Sequence, residues 1–281
     1  MKKLLALALA IVMSLSLAAC GKTPVEPSDS PVAESVQPSA EPVELTVFAA
    51  ASMTETLTEV IELYKSVAPN VIITPTYDSS GTLMTQISEG AECDLFISAA
   101  QKQMNALDVT QGADKNPDKL DFIDSTTRVN ILENKVVLVV PNGNPANITK
   151  FADLANAKMI AIGNSDVPVG SYSLEILKYL DLDIAALESA GKVTYGTNVK
   201  EVTTQVAEGI VDCGIVYATD ANVAGLTVVD TATTEMCKQV VYPAAVLKAS
   251  KNPEAAKAFL DFLKTDEAMA IFEKVGFTKV N

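Results

Sequence analysis

Residues 86–98 read QISEGAECDLFIS and residues 205–217 read QVAEGIVDCGIVY. Each stretch begins as a helix segment, stops at a glycine (Gly90, Gly209) and passes an aspartate (Asp94, Asp212) into a short apolar run. Glycine just past a helix end takes the left-handed conformation that closes the last turn. A run of four to eight apolar residues bounded by turn signals has the length of a buried strand. Gln, Glu and Gly at one shared spacing predict the same helix–turn–strand unit twice.

Upstream of the first unit, Leu45–Ala50 (LTVFAA) has strand length, and Met53–Val67 carries Leu57, Val60, Ile61, Tyr64 and Val67 at helical spacing. Val71–Tyr77 predicts a second strand, Thr82–Glu89 a helix and Asp94–Ser98 a third strand. The order returns with a strand at Met159–Ile162, a helix at Ser171–Leu180, a strand at Lys192–Gly196, a helix at Glu201–Glu208 and a strand at Cys213–Tyr217. Two βαβαβ halves make an α/β protein of two lobes, each a mostly parallel sheet flanked by helices. Lys135–Pro141 and Gln239–Leu247 are continuous apolar runs suited to crossing between the lobes. The expected division is 44–133 with 245–281 as lobe I and 134–244 as lobe II. The closing helices, Pro253–Lys264 and Asp266–Val275, are expected to pack back on lobe I. Small ligands bind in clefts of this kind.

The chain has 281 residues, 35 of them acidic and 21 basic, for a formal charge of -14. Nucleic acid and anionic membrane surfaces select a basic footprint, so neither is expected as a partner. Histidine and tryptophan are absent. Histidine general acid–base chemistry, a Ser-His-Asp triad and His-ligated metals go with them. Lys2 and Lys3 ahead of an apolar run from Leu4 to Leu17 read as an export signal, too short to span a bilayer comfortably. The run ends in Leu17-Ala18-Ala19-Cys20-Gly21, which resembles the lipobox of bacterial lipoproteins. That resemblance implies a signal peptide of residues 1–19, cleavage before Cys20 and a diacylglycerol on its sulfur. Residues 20–43 form a lipidated Cys and a Pro/Ser/Glu-rich linker, unable to bury enough apolar area to order itself. Cys93, Cys213 and Cys237 are left in the globule, an odd count with no disulfide framework; Cys93 and Cys213 read as small buried apolar residues.

In an open parallel sheet the binding crevice lies beyond the carboxyl ends of the strands. The turns there are Ala50-Ala51-Ser52-Met53-Thr54-Glu55, Asp78-Ser79-Ser80-Gly81-Thr82, Val167-Pro168-Val169-Gly170-Ser171 and Gly196-Thr197-Asn198-Val199-Lys200. Each opens a helix, with unpaired N–H groups and the positive end of a helix dipole. Convergence of such termini suits an anion. Their side chains are mostly hydroxyls, amides and glycines, so the donors are neutral. Simple N-capping is the plainer role for Ser52 and Ser80, and Ser52 with Glu55 three residues on has the spacing of a capping box. Asp78 and Asp166 lie beside these turns and are expected to face away from an anion.

The segments AAASMTETLTEV, DSSGTL, DLFISA, VPVGSY, GIVYATDA, VVYPAAV and VGFTKV together resemble the molybdate-binding proteins of bacterial ABC importers. The resemblance covers essentially residues 44–281. It implies a class II periplasmic-binding fold closing on a tetrahedral oxyanion, held by the hydroxyl and N–H of Ser52 and Ser80, the N–H of Val169 and Val199, and the Tyr217 hydroxyl. It also implies a monomer held outside the cytoplasm on the cell membrane by its lipid anchor, delivering molybdate or tungstate to a permease with a separate ATPase subunit. No cofactor, catalytic residue or bare metal cation is expected; the metal arrives as its oxyanion.

Sulfate or phosphate is the nearest rival ligand, and a tethered oxyanion sensor a rival role. Amino acids would need a fixed charge at the turns, and the chain's one arginine, Arg128, is expected to be structural. An enzyme without histidine would need a dyad such as Ser-Lys; Ser189-Ala-Gly-Lys192 has that spacing but no companion motif.

Overall fold

The computed structural model describes residues 41–280. In chain order they form β1 (Val43–Ala50), a 3-10 turn (Ala51–Met53), α1 (Thr54–Tyr64), β2 (Val71–Asp78), α2 (Ser80–Ser88), β3 (Leu95–Ile97) and α3 (Gln101–Ala106). Next come β4 (Val129–Asn134), β5 (Val136–Val140), β6 (Ile160–Gly163), α4 (Pro168–Tyr179), α5 (Ile184–Ser189), β7 (Val193–Gly196) and α6 (Val199–Ala207). The chain ends with β8 (Cys213–Tyr217), α7 (Ala218–Val223), β9 (Thr227–Thr231), β10 (Val240–Val246), α8 (Pro253–Phe262), α9 (Asp266–Val275) and β11 (Thr278–Lys279).

Two sheets result, ordered β11-β4-β10-β3-β1-β2 and β7-β6-β8-β5-β9. In the first, β1 is parallel to β2 and β3, and β10 is antiparallel to β3 and β4. In the second, β6 is parallel to β7 and β8, and β5 is antiparallel to β8 and β9. Each sheet is therefore mixed around a parallel core of three strands, more so than the mostly parallel expectation. The cause is the crossings. The parallel strands end at the cleft, so a strand arriving from the other lobe enters at that end and runs the opposite way.

The first crossing is at Lys135, between β4 and β5. The return falls within residues 232–239, because β10 pairs with β3 and β4. The sequence division put residues up to 244 in lobe II; residues 240–244 belong to the first sheet. An apolar run such as QVVYPAAVL carries no mark of which sheet it joins.

The repeated unit has the same job in both lobes. Gly90 and Gly209 take positive φ, 95° and 68°, and close their helices. Asp94 Oδ2 accepts the N–H of Thr46 at 2.8 Å, one residue ahead of the β1–β3 ladder, which begins at Val47 and Leu95. Asp212 Oδ2 accepts the N–H groups of Lys158 and Met159, ahead of β6. Each aspartate thus satisfies backbone donors just ahead of the parallel ladder that its own following strand, β3 or β8, makes with its neighbour.

The closing helices pack on lobe I as expected. Tyr64 of α1 meets Phe259 and Phe262 of α8 with ring centroids 5.0 and 4.9 Å apart. Cys93, Cys213 and Cys237 are buried free thiols. Among the described residues no helix is long and apolar enough to cross a membrane. Residues 1–40, with the export signal, Cys20 and most of the linker, lie outside the described residues.

Candidate functional site

The register of the strands levels the turns. Ala50 pairs with Asp78 at the ends of β1 and β2, and Gly163 with Gly196 at the ends of β6 and β7. The Ser52 and Ser80 turns therefore lie side by side in lobe I, opposite those before α4 and α6.

Neither serine caps a helix. The chain leaves β1 through a 3-10 turn with Ser52 at its middle, and α1 starts only at Thr54. The expected Ser52–Glu55 capping box does not form; Ser52 Oγ lies 2.8 Å from the hydroxyl of Tyr242 on β10 instead. At α2 the cap is Ser79, whose Oγ accepts the N–H of Thr82 at 3.1 Å. That leaves Ser80 Oγ to accept the N–H of Ala99 at 2.9 Å. A hydroxyl that already accepts a backbone N–H still has its own proton to donate. Ser52 is 5% exposed and Ser80 fully buried.

In lobe II, Val169 and Val199 sit in the first turns of α4 and α6, whose leading N–H groups have no intrahelical acceptor. Asn198 caps α6 by accepting the N–H of Glu201. Tyr217 ends β8 and is 1% exposed, and its hydroxyl has no hydrogen-bond partner among the described residues. Burial pushes its acidity well below that of an ordinary phenol, so the proton stays on. A buried, unpaired hydroxyl costs about 1–3 kcal/mol.

Ser52, Ser80, Val199 and Tyr217 border one small cavity between the lobes. Val169 itself is not part of the lining, although Val167 and Pro168 beside it are. Asp166 is exposed and turned away from the cavity lining, as expected. Asp78 differs from expectation: it borders the cavity, with Oδ1 accepting the N–H of Ser79 at 2.7 Å. The register that levels β1 and β2 places it there. A larger hollow of about 340 Å³ lies at the opposite ends of β1 and β3, near Glu44 and Lys251, and includes none of these residues.

The lobes are closed on each other. Gly81 donates its N–H to the Asp166 carbonyl at 2.9 Å, and a Cβ at Gly81 would sit 2.3 Å from that oxygen. Lys200 of α6 pairs with Glu55 of α1 at 2.7 Å and lies 3.3 Å from Asp220 of α7. Asp220 is 1% exposed, and neither carboxylate oxygen is hydrogen-bonded among the described residues. Burial raises its pKa to about 6, against the lowering pull of Lys200.

This is an apparatus for enclosing a small ligand between two hinged lobes. The chain belongs to the bacterial extracellular solute-binding protein family. The family's pattern matches residues 45–278. Family members bind solutes and are not enzymes. Among curated proteins, YvgL of Bacillus subtilis (strain 168) is 38% identical, over 84% of this chain and 86% of its own. The molybdate-binding protein ModA of Escherichia coli (strain K12) is 34% identical, over 83% of this chain and 88% of its own. Among solved structures, the periplasmic molybdate-binding protein of Azotobacter vinelandii aligns with a TM-score of 0.71 at 22% identity, covering 84% of this chain and all of that one. The architecture is thus the two-lobed class II periplasmic-binding fold.

Within this solute-binding protein, Arg128 is structural as expected. It bonds Asp108 at 2.7 Å and the side chains of Gln101 and Asn105. Asp108 is fully buried; its pKa falls to about 2 because hydrogen bonds from Thr110, Arg128 and Ser125 outweigh the opposing effect of burial. The sequence reading missed Tyr242, Gly81 and the Glu55–Lys200–Asp220 cluster. Tyr242 lies within the quoted VVYPAAV segment, but nothing local marks its hydroxyl as the partner of Ser52, 190 residues away.

Proposed function

We propose that this protein captures molybdate, and tungstate with it, in the interlobe cavity and hands the oxyanion to an ABC permease driven by a separate ATPase. The observation that carries this reading is the buried Tyr217 hydroxyl, unpaired at the edge of the cavity. The ligand groups are the hydroxyl and N–H of Ser52 and Ser80, the N–H of Val169 and Val199, and the hydroxyl of Tyr217. All are neutral donors, which suits a fully ionised tetrahedral oxyanion carrying only acceptors. The identity to E. coli ModA supports molybdate. With a net charge of -14 the global field does not attract an anion, so affinity comes from local dipoles. The protein acts outside the cytoplasm as a monomer, anchored through a diacylglycerol on Cys20. Replacing Cys20 with Ser then releases it from the membrane fraction.

Asp78 at the cavity favours one second reading, hydrogen phosphate, whose proton a carboxylate can accept. Calorimetric titration of the purified protein with molybdate, tungstate, sulfate and phosphate separates the two. Heat from molybdate and tungstate alone supports the proposal. Heat from phosphate alone moves the ligand and assigns Asp78 to it.

A further inference from the structure

The Ser52 hydroxyl belongs to a buried chain of polar groups that starts at the hinge. Asn134 is the last residue of β4, directly before the crossing at Lys135. Its Oδ1 accepts the N–H of Lys135 at 2.8 Å, which fixes the orientation of the amide. Nδ2 therefore faces the other way, donating to Thr219 Oγ1 of α7 at 2.9 Å and to the Tyr242 hydroxyl at 3.3 Å. Ser52 Oγ is the other polar neighbour of that hydroxyl, at 2.8 Å. Asn134, Thr219 and Tyr242 are at most 2% exposed.

An amide nitrogen can only donate. Tyr242 Oη accepts from it and must place its own proton, which burial keeps on the ring oxygen. If Ser52 donated to Tyr242, the phenolic proton would be buried with no acceptor among the described residues, an expensive loss. If Tyr242 donates to Ser52, the protons of Asn134 Nδ2 and Tyr242 are all placed and the Ser52 proton is free for the cavity. We infer that Asn134 is a positioning residue that fixes the direction of the chain Asn134→Tyr242→Ser52, so that Ser52 presents a donor and the cavity prefers oxyanions without a proton. The inference rests on the oxyanion reading of Ser52. Neither Asn134 nor Tyr242 touches the ligand.

The test is molybdate titration at pH 8, with melting curves as a folding control, on Ser52→Ala, Tyr242→Phe, Asn134→Asp and two double variants. Tyr242→Phe weakens binding about fivefold alone and adds nothing to Ser52→Ala, because it acts only through that hydroxyl. An equal loss in both backgrounds overturns the inference. Asn134→Asp, ionised at this pH, accepts where the amide donated and reverses the chain. It costs about tenfold or more alone, but little further in Tyr242→Phe, where no phenol transmits the reversal. A loss undiminished in Tyr242→Phe is plain charge repulsion and also overturns it. If Asn134→Asp fails to fold, the Tyr242–Ser52 cycle still decides. A reversed chain also lets Ser52 accept, so Asn134→Asp narrows the gap between phosphate and molybdate affinities. An unchanged dissociation constant for Ser52→Ala overturns the oxyanion reading and this inference together. A loss in Ser52→Ala without coupling to Tyr242 overturns this inference alone.

Discussion

The two lobes are built from one supersecondary unit yet bring different chemistry to the cleft. Lobe I offers the side-chain hydroxyls of Ser52 and Ser80, each already engaged, one with Tyr242 and one with the Ala99 N–H. Lobe II offers the first-turn N–H groups of Val169 and Val199, and the hydroxyl of Tyr217, which no described residue engages. On the proposed reading lobe I is a preformed half-site and lobe II is the half that gains by closing on an anion. The lobes share a scaffold, down to Asp94 and Asp212 steadying equivalent ladder starts, while their turns differ.

The difference can be broken most severely where the lobes touch. Gly81→Ala puts a methyl carbon against the Asp166 carbonyl, so closure fails while lobe I still folds. Molybdate affinity should fall about a hundredfold, since only the closed form is fully competent. An unchanged dissociation constant would mean that closure contributes nothing to binding. Next in size is a pair of substitutions with opposite signs. Ser80→Ala strands the buried Ala99 N–H and should destabilise the free protein by about 1–3 kcal/mol. Tyr217→Phe removes an unpaired hydroxyl and should stabilise the free protein by about 1 kcal/mol. Both should weaken binding. Denaturant titration without ligand checks the signs, and equal signs would erase the contrast between the lobes.

Asp220 gives a pH-dependent version. Its folded pKa of about 6 lies above the ordinary 3.8, so folding favours its protonated form. The stability it contributes is full below the ordinary value and is lost as pH rises through about 6. Asp220→Asn should therefore raise the melting point at about pH 7.5, by the equivalent of ~2 kcal/mol, and change little at about pH 3.5. A pH-independent gain would assign the effect to packing. The smallest effect belongs to Glu55→Gln. Its ion pair with Lys200 joins the lobes, but the two side chains are 46% and 30% exposed. Removing it should weaken binding about twofold, less in high salt.

The scaffold was readable because its signals are local. The glycine stops, the apolar runs and the helix at Met53–Val67 each occupy one short window. The crossing strands were harder. Val129–Asn134 alternates weakly, and β10 carries Pro243 at a register shift against β4, where an interrupted ladder tolerates proline. The Ser52–Glu55 spacing misled because a 3-10 turn delays the start of α1, which frees the serine for other work. That serine's partner, Tyr242, comes from β10 and is bonded in turn by Asn134 at the hinge, 108 residues away in the chain. That proximity arises from the pairing of β4 with β10 in the first sheet, and no spacing in the chain encodes it.

The central claim is that the hydroxyls of Ser52, Ser80 and Tyr217 converge on one oxyanion. Crystals grown with molybdate, with diffraction collected above the molybdenum absorption edge, test it directly. The account expects a single strong anomalous peak placed so that the oxygens of its molybdate lie within hydrogen-bond reach of all three hydroxyls. A peak elsewhere, such as the hollow beside Glu44 and Lys251, or no peak between closed lobes, would contradict it.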